Sequence, residues 1–142
     1  MCGFVVVYCG EGGILEKKSK IIDAGNLMSH RGPDDAKGYF DNSIGMYFRR
    51  LSIVDLSNNA SQPFTSESGE LVLVFNGEIY NYRELKTSLE KKGHHFNTSS
   101  DTEVLLKAYE EYGDSAVNYL RGMFAFLIWN KSTGELKVFR DR

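Results

Sequence analysis

Three runs of uninterrupted apolar residues constrain this chain most: Phe4 to Tyr8, Leu71 to Phe75 and Met123 to Trp129. They are dominated by β-branched, aliphatic and aromatic residues, and each is short for a core helix. A strand with one wet face alternates polar and apolar side chains. A strand that is apolar at every position is one buried on both faces. Several such strands in one chain require layers above and below them, and the remaining sequence supplies candidates. From Lys17 to Ser29 the residues Ile21, Ala24 and Met28 recur at helical spacing. Asn81-Tyr82-Arg83-Glu84 and Ser100-Asp101-Thr102-Glu103 have the pattern of capping boxes. The first opens a helix with Tyr82, Leu85 and Leu89 on one face, ending at Gly93. The second opens a helix carrying Leu105, Ala108, Tyr109 and Tyr112, ending at Gly113.

Tight turns join the other strands. Asp41-Asn42-Ser43 separates Tyr39–Phe40 from Ile44–Phe48, and Lys131 to Gly134 joins the third apolar run to a strand over Leu136–Phe139. His30 to Asp35 is turn chemistry, the polar segment Ser57 to Gly69 reads as a loop, and the strand from Leu71 is expected to end at Asn76-Gly77. The pattern is that of one α+β or layered α/β domain over residues 1–142, without repeats or linkers. The chain stops at Arg140-Asp141-Arg142, directly behind a strand, which reads as a cut within a longer protein.

Several functions are disfavoured. A net charge of −2 gives no field for nucleic acid, and Lys17, Lys18 and Lys20 read as a solvated helix face. No apolar stretch approaches the ~20 residues that span a bilayer, and the opening residues lack the form of a signal peptide. Cys2 and Cys9 are the only cysteines, and on one strand they point to opposite faces. That usage suits a reducing compartment, so a soluble cytoplasmic protein is expected.

Cys2 is the sharpest chemical feature. Initiator methionine is generally removed before a small residue, which would leave Cys2 with a free α-amine beside its thiol. Such an amine titrates near ~7.7–8.0 and can act as a general base without a histidine. Taken alone, Cys2 would read as a buried structural cysteine, an isolated Asn76-Gly77 as a hairpin turn, and Asp101 as a first-turn helix charge. His30 reads as part of a structural turn. His94 and His95, adjacent in an extended segment, would point apart and make a poor metal pair. No Cys/His cluster has zinc spacing and no glycine-rich phosphate loop is present.

Taken in order, the motifs are more specific. Met1-Cys2-Gly3-Phe4 is followed by Ser29-His30-Arg31-Gly32-Pro33-Asp34, Arg49-Arg50-Leu51-Ser52-Ile53-Val54-Asp55-Leu56 and Gln62-Pro63-Phe64. Then come Phe75-Asn76-Gly77-Glu78-Ile79-Tyr80-Asn81-Tyr82, Ser100-Asp101-Thr102-Glu103 and Gly122-Met123-Phe124-Ala125-Phe126. In this order they resemble the class II glutamine amidotransferase domain of asparagine synthetases, over essentially the whole chain.

The resemblance implies an N-terminal-nucleophile (Ntn) hydrolase fold, a four-layer αββα sandwich, here C-terminally truncated. It implies that Cys2 attacks the side-chain amide of L-glutamine, with Asn76 and the Gly77 N–H as the oxyanion hole. Arg50 would grip the substrate carboxylate, and Glu78 and Asp101 its ammonium. The segment Leu51, Ser52, Ile53 and Val54 would line the pocket. The domain would use no cofactor. ATP and magnesium would belong to a separate synthetase domain, the expected partner that accepts the ammonia. Related domains serving a sugar or peptide acceptor, and an inactive remnant, are the alternatives. One departure is Phe48, where many members of the family carry histidine; it lies outside the expected clamp and is read as a packing change.

Overall fold

The computed structural model describes residues 2–51 and 61–142. Its elements are β1 (Gly3–Tyr8), α1 (Lys18–Asn26), β2 (Asp35–Phe40), β3 (Ile44–Arg50), β4 (Phe64–Thr65), β5 (Leu71–Ile79), α2 (Tyr82–Glu90), α3 (Asp101–Tyr112), β6 (Gly122–Asn130) and β7 (Glu135–Arg140), with short 3-10 turns at Leu15–Lys17 and Gly113–Tyr119. Both sheets are antiparallel: β1-β3-β2 and β4-β5-β6-β7.

The pleat decides which side chains meet. In the first sheet, the even-numbered Phe4 and Val6 pair in register with Phe48 and Met46. With Ile44 they pack against Val72, Val74 and Trp129 of the second sheet. On the other side of the second sheet, Leu73, Phe75, Phe126 and Ile128 pack on Leu105 and Leu106 of α3. A further cluster joins α2 to α3 through Leu85, Leu89, Val104 and Ala108. Helix α1 covers the outer face of the first sheet, where Gly25 and Gly45 leave no room for a side chain: an added Cβ would lie 2.1 Å from Tyr47 and 2.7 Å from Ile21, respectively. The layers are therefore helix, sheet, sheet, helices, the four-layer αββα order expected.

Most elements fall where expected, and the differences have identifiable causes. β1 is only half-buried because it lies at the edge of its sheet, paired on one side with β3. β2 starts earlier, at Asp35, because β3 offers it a ladder as far as Arg50. The expected loop before Gly69 contains β4, which pairs with β5 at two positions. α1 stops at Asn26, short of Ser29.

Asn81 does not cap α2 with its side chain, because its backbone sits at φ −95°, ψ 20° rather than in the extended region a cap requires. Its amide instead donates to the Tyr119 carbonyl and accepts from Arg121 N–H, both at 2.9 Å. Ser100 does cap α3, its Oγ accepting from Glu103 N–H at 3.2 Å. Glu103 reaches past it to the N–H groups of Asn97 and Thr98.

One polar tether crosses between the sheets. Asp41, in the β2–β3 turn, accepts from Ser43 and Ile44 N–H, from Tyr39 Oη and, at 2.9 Å, from Trp129 Nε1 on β6. Burial pushes the Asp41 carboxyl up, but these four donors outweigh it and hold it below the usual carboxylate range. Tyr39 is pushed up to about 12, by burial and by donating to Asp41.

A group whose folded pKa is depressed contributes stability above its unfolded pKa, ~3.9 for Asp, and loses that contribution as pH falls through the folded value. Asp41→Asn places an amide N–H against the Trp129 N–H and is expected to cost about 1–3 kcal/mol at neutral pH. In urea unfolding, the gap between variant and parent should close as pH falls below ~4. A gap unchanged by pH would show that the tether does not depend on the Asp41 charge.

Candidate active site

The inter-sheet core is filled by apolar side chains until its last row, and there it turns polar. Continuing the β1–β3 register beyond Gly3↔Arg49 brings Cys2 opposite Arg50, and Arg50 also pairs with Asp35 on β2. Both Cys2 and Arg50 keep the even-numbered parity of Phe4 and Phe48, so they project inward. From the facing sheet, Asn76 continues the inward row of Val72 and Val74. An open cleft of about 360 Å³ lies at this end, lined by Cys2, Phe48, Arg50, Leu51, Asn76, Gly77, Glu78 and Asp101 among others.

Cys2 is held from two sides. Its Sγ lies 3.3 Å from Leu51 N and 3.6 Å from Leu51 O, and its carbonyl accepts from Arg31 Nε at 3.2 Å. The His-Arg-Gly-Pro turn thus acts directly on the site. Gly32 packs so closely on the Arg49–Arg50 peptide that a Cβ would fall 2.3 Å from Arg49 C. Arg49 Nε donates to Gly32 O, and Asp34 N–H donates to Arg50 O. His30 bonds Leu27 O through its ring, and Arg49 is a structural partner of the turn. Arg50 is buried, with Nη1 donating to Ser61 Oγ at 3.3 Å, and Ser61 in turn donates to Asp35.

β5 does not end at Asn76-Gly77. It runs on to Ile79, paired with β6 throughout. Gly77 has φ 151°, and a Cβ there would lie 2.1 Å from Met123 O and 2.7 Å from Phe124 Cα. The strand can pass this close to β6 only with glycine. Asn76 Oδ1 is buried and accepts no hydrogen bond among the described residues.

In an antiparallel strand the N–H and C=O of one residue point to the same side, alternating along the chain. Phe75 N–H is taken by Gln62 Oε1 and Ile79 N–H by Asp101 Oδ2. Alternation therefore directs Gly77 N–H, between them, away from β6.

Asp101 opens α3 and is buried. Burial raises its pKa, the N–H groups of Ile79, Thr102 and Asp101 itself oppose the rise, and the neighbouring Glu78 charge adds to it. Two carboxylates in one cleft favour a cation between them. Of the pocket-lining segment, Leu51 is in place, whereas Ser52, Ile53 and Val54 lie outside the described residues. Phe48 is part of the inter-sheet core but also borders the cleft. Gln62, Thr102, Met123, Phe124 and Asp141 border it too. Four of these five stand in the motifs quoted above but were given no site role there, and Asp141 was not marked; contacts between elements distant in sequence bring them to the cleft. His94 is bonded to Glu111 on the far side of α3, and no helix among the described residues is long and apolar enough to cross a membrane.

A model of the glutamine amidotransferase domain matches residues 1–142. The glutamine-hydrolysing asparagine synthetase 1 of Bacillus subtilis is 49% identical over 144 residues, covering 99% of this chain and 22% of that protein. Among solved structures, an allosteric regulatory enzyme of purine biosynthesis superposes with a TM-score of 0.57 at 31% identity, covering 68% of this chain and 23% of that one. The glutamine phosphoribosylpyrophosphate amidotransferase of B. subtilis, complexed with ADP and GMP, gives 0.51 at 32% identity, covering 61% and 21%. The chain spans about a fifth of the length of these relatives. With two facing antiparallel sheets, helices on both outer faces and a match along its whole length, this chain belongs to the glutamine amidotransferase domain family and has the Ntn-hydrolase fold.

Proposed function

We propose that residues 1–142 form a domain that hydrolyses L-glutamine, with Cys2 as nucleophile after removal of Met1. The observation that carries this is the single polar row at the end of the inter-sheet core, where Cys2 and Arg50 face Asn76 across the cleft. The freed α-amine takes the thiol proton, and the thiolate adds to the side-chain amide carbon of glutamine. The oxygen of the tetrahedral intermediate is stabilised by the Asn76 amide and Gly77 N–H. Collapse of that intermediate breaks the C–N bond, and the nitrogen takes the proton and leaves as ammonia. Water then cleaves the γ-glutamyl thioester and releases glutamate. Arg50 pairs with the substrate carboxylate through its planar fork, and Glu78 and Asp101 hold its ammonium. Leu51 lines the pocket.

This domain uses no cofactor. The ammonia passes to a synthetase domain of the longer protein, where ATP and magnesium would serve asparagine formation in the cytoplasm. Support comes from the 49% identity to an asparagine synthetase. Incubation with a diazo-ketone analogue of glutamine, followed by intact-mass spectrometry, tests the site directly. A chain lacking Met1 and carrying one adduct, mapped to Cys2, is expected. A chain that has lost Met1 and remains unlabelled would refute the assembled site.

A further inference from the structure

We infer that Gln62 is a positioning residue that holds the oxyanion donors in place, an inference that rests on the glutamine-hydrolysis reading above. β4 pairs with β5 at Phe64↔Leu73 and Thr65↔Val72. Continuing that register sets Pro63 opposite Val74 and Gln62 opposite Phe75. The β4 backbone pairing ends at Phe64. The Gln62 side chain replaces what the backbone would have supplied. Its Oε1 accepts from Phe75 N–H at 2.6 Å, and its Nε2 donates to Phe75 O at 3.0 Å. These are the two bonds that one antiparallel partner gives another.

Gln62 is 7% exposed. Although it borders the cleft, both ends of its amide are engaged, so it is not placed to contact substrate through them. Nε2 also lies 3.4 Å from Thr102 Oγ1, one residue past Asp101 in the first turn of α3. One buried amide therefore ties the strand that carries Asn76 and Gly77 to the helix that carries Asp101. Asp101 fastens the same strand on the other side of Gly77, through Ile79 N–H. Without Gln62, β5 would lose its anchor immediately before Asn76, and donors that must meet a forming oxyanion within a few tenths of an ångström would drift.

The test uses Gln62→Met, which keeps the length and loses both bonds, and Gln62→Glu, which keeps only the acceptor for Phe75 N–H. Each is made in the parent and in an Asn76→Ala background. In the parent, Gln62→Met is expected to lower kcat for glutamine hydrolysis about tenfold or more, with KM moved less than about threefold. Backbone amide exchange at Phe75 should accelerate. In the Asn76→Ala background the further loss from Gln62→Met should shrink, because only the Gly77 N–H remains for Gln62 to position. If Gln62→Met does not fold, Gln62→Glu carries the same comparison.

Equal fractional losses in both backgrounds, or unchanged kcat and unchanged Phe75 exchange, would overturn the inference while leaving the glutaminase reading intact. A parent chain without Met1 that releases no glutamate would overturn the reading and the inference with it.

Discussion

Cys2→Ala is expected to reduce glutamate release from glutamine on the order of a thousandfold or more, because it removes the nucleophile itself. Alanine is also small, so Met1 removal and the free α-amine should survive the change. The loss then reports the thiol rather than the amine. Stability should barely move: the thiol's described hydrogen bonds are the two weak contacts with Leu51. Glutamate release measured beside a thermal melt checks both halves. Residual activity within tenfold of the parent would mean that another group attacks the amide, and the assignment of Cys2 would have to be withdrawn.

Gly77→Ala is expected to damage fold and chemistry together. The added Cβ would have to displace Met123 O from 2.1 Å and Phe124 Cα from 2.7 Å, both backbone atoms of the neighbouring central strand. It would do so at φ 151°, which L side chains rarely adopt. Strain of this kind costs about 2–4 kcal/mol. Relief by parting β5 from β6 would also move the Gly77 N–H, and loss of one oxyanion donor typically lowers kcat by ~10²–10³. Urea unfolding and glutamine kinetics measure the two effects separately. A stable variant that keeps the parent kcat would show that the strands part here without cost and that Gly77 N–H is not a donor to the transition state.

Much of the fold was legible residue by residue. The uninterrupted apolar runs marked β5 and β6 as strands with layers above and below, because a pleated strand apolar on both sides has to be covered on both sides. Asp41-Asn42-Ser43 and Lys131 to Gly134 marked two hairpins through turn chemistry that acts over a few residues. Cys2, Arg50, Asn76, Gly77, Glu78 and Asp101 were named from the order of motifs, and the structure brings all six to one cleft.

The misreadings share one cause: a side chain or dipeptide with a familiar local role was claimed by something distant in sequence. Asn76-Gly77 has the form of a turn, yet β6 offers a nine-residue ladder that carries β5 straight through it. Asn81 has the form of an N-cap, yet its amide is taken by Tyr119 and Arg121. β1 reads as a strand buried on both faces, yet most of it is only half-buried, at the edge of its sheet.

The sequence by itself determined which segments become strands and helices, and which residue types are available for the chemistry. Those properties follow from periodicity, backbone propensity and side-chain identity, all of which act within a few residues. Only the tertiary structure decided that Cys2 and Arg50 share the inward face of one sheet while Asn76 projects from the other. Only it placed Gln62 in the ladder beside Phe75 and directed the Gly77 N–H away from β6. Those outcomes depend on register between strands tens of residues apart. A slip of one residue would turn every one of these side chains to the opposite face, and it is the packing of both sheets and α3 around one core that forbids the slip.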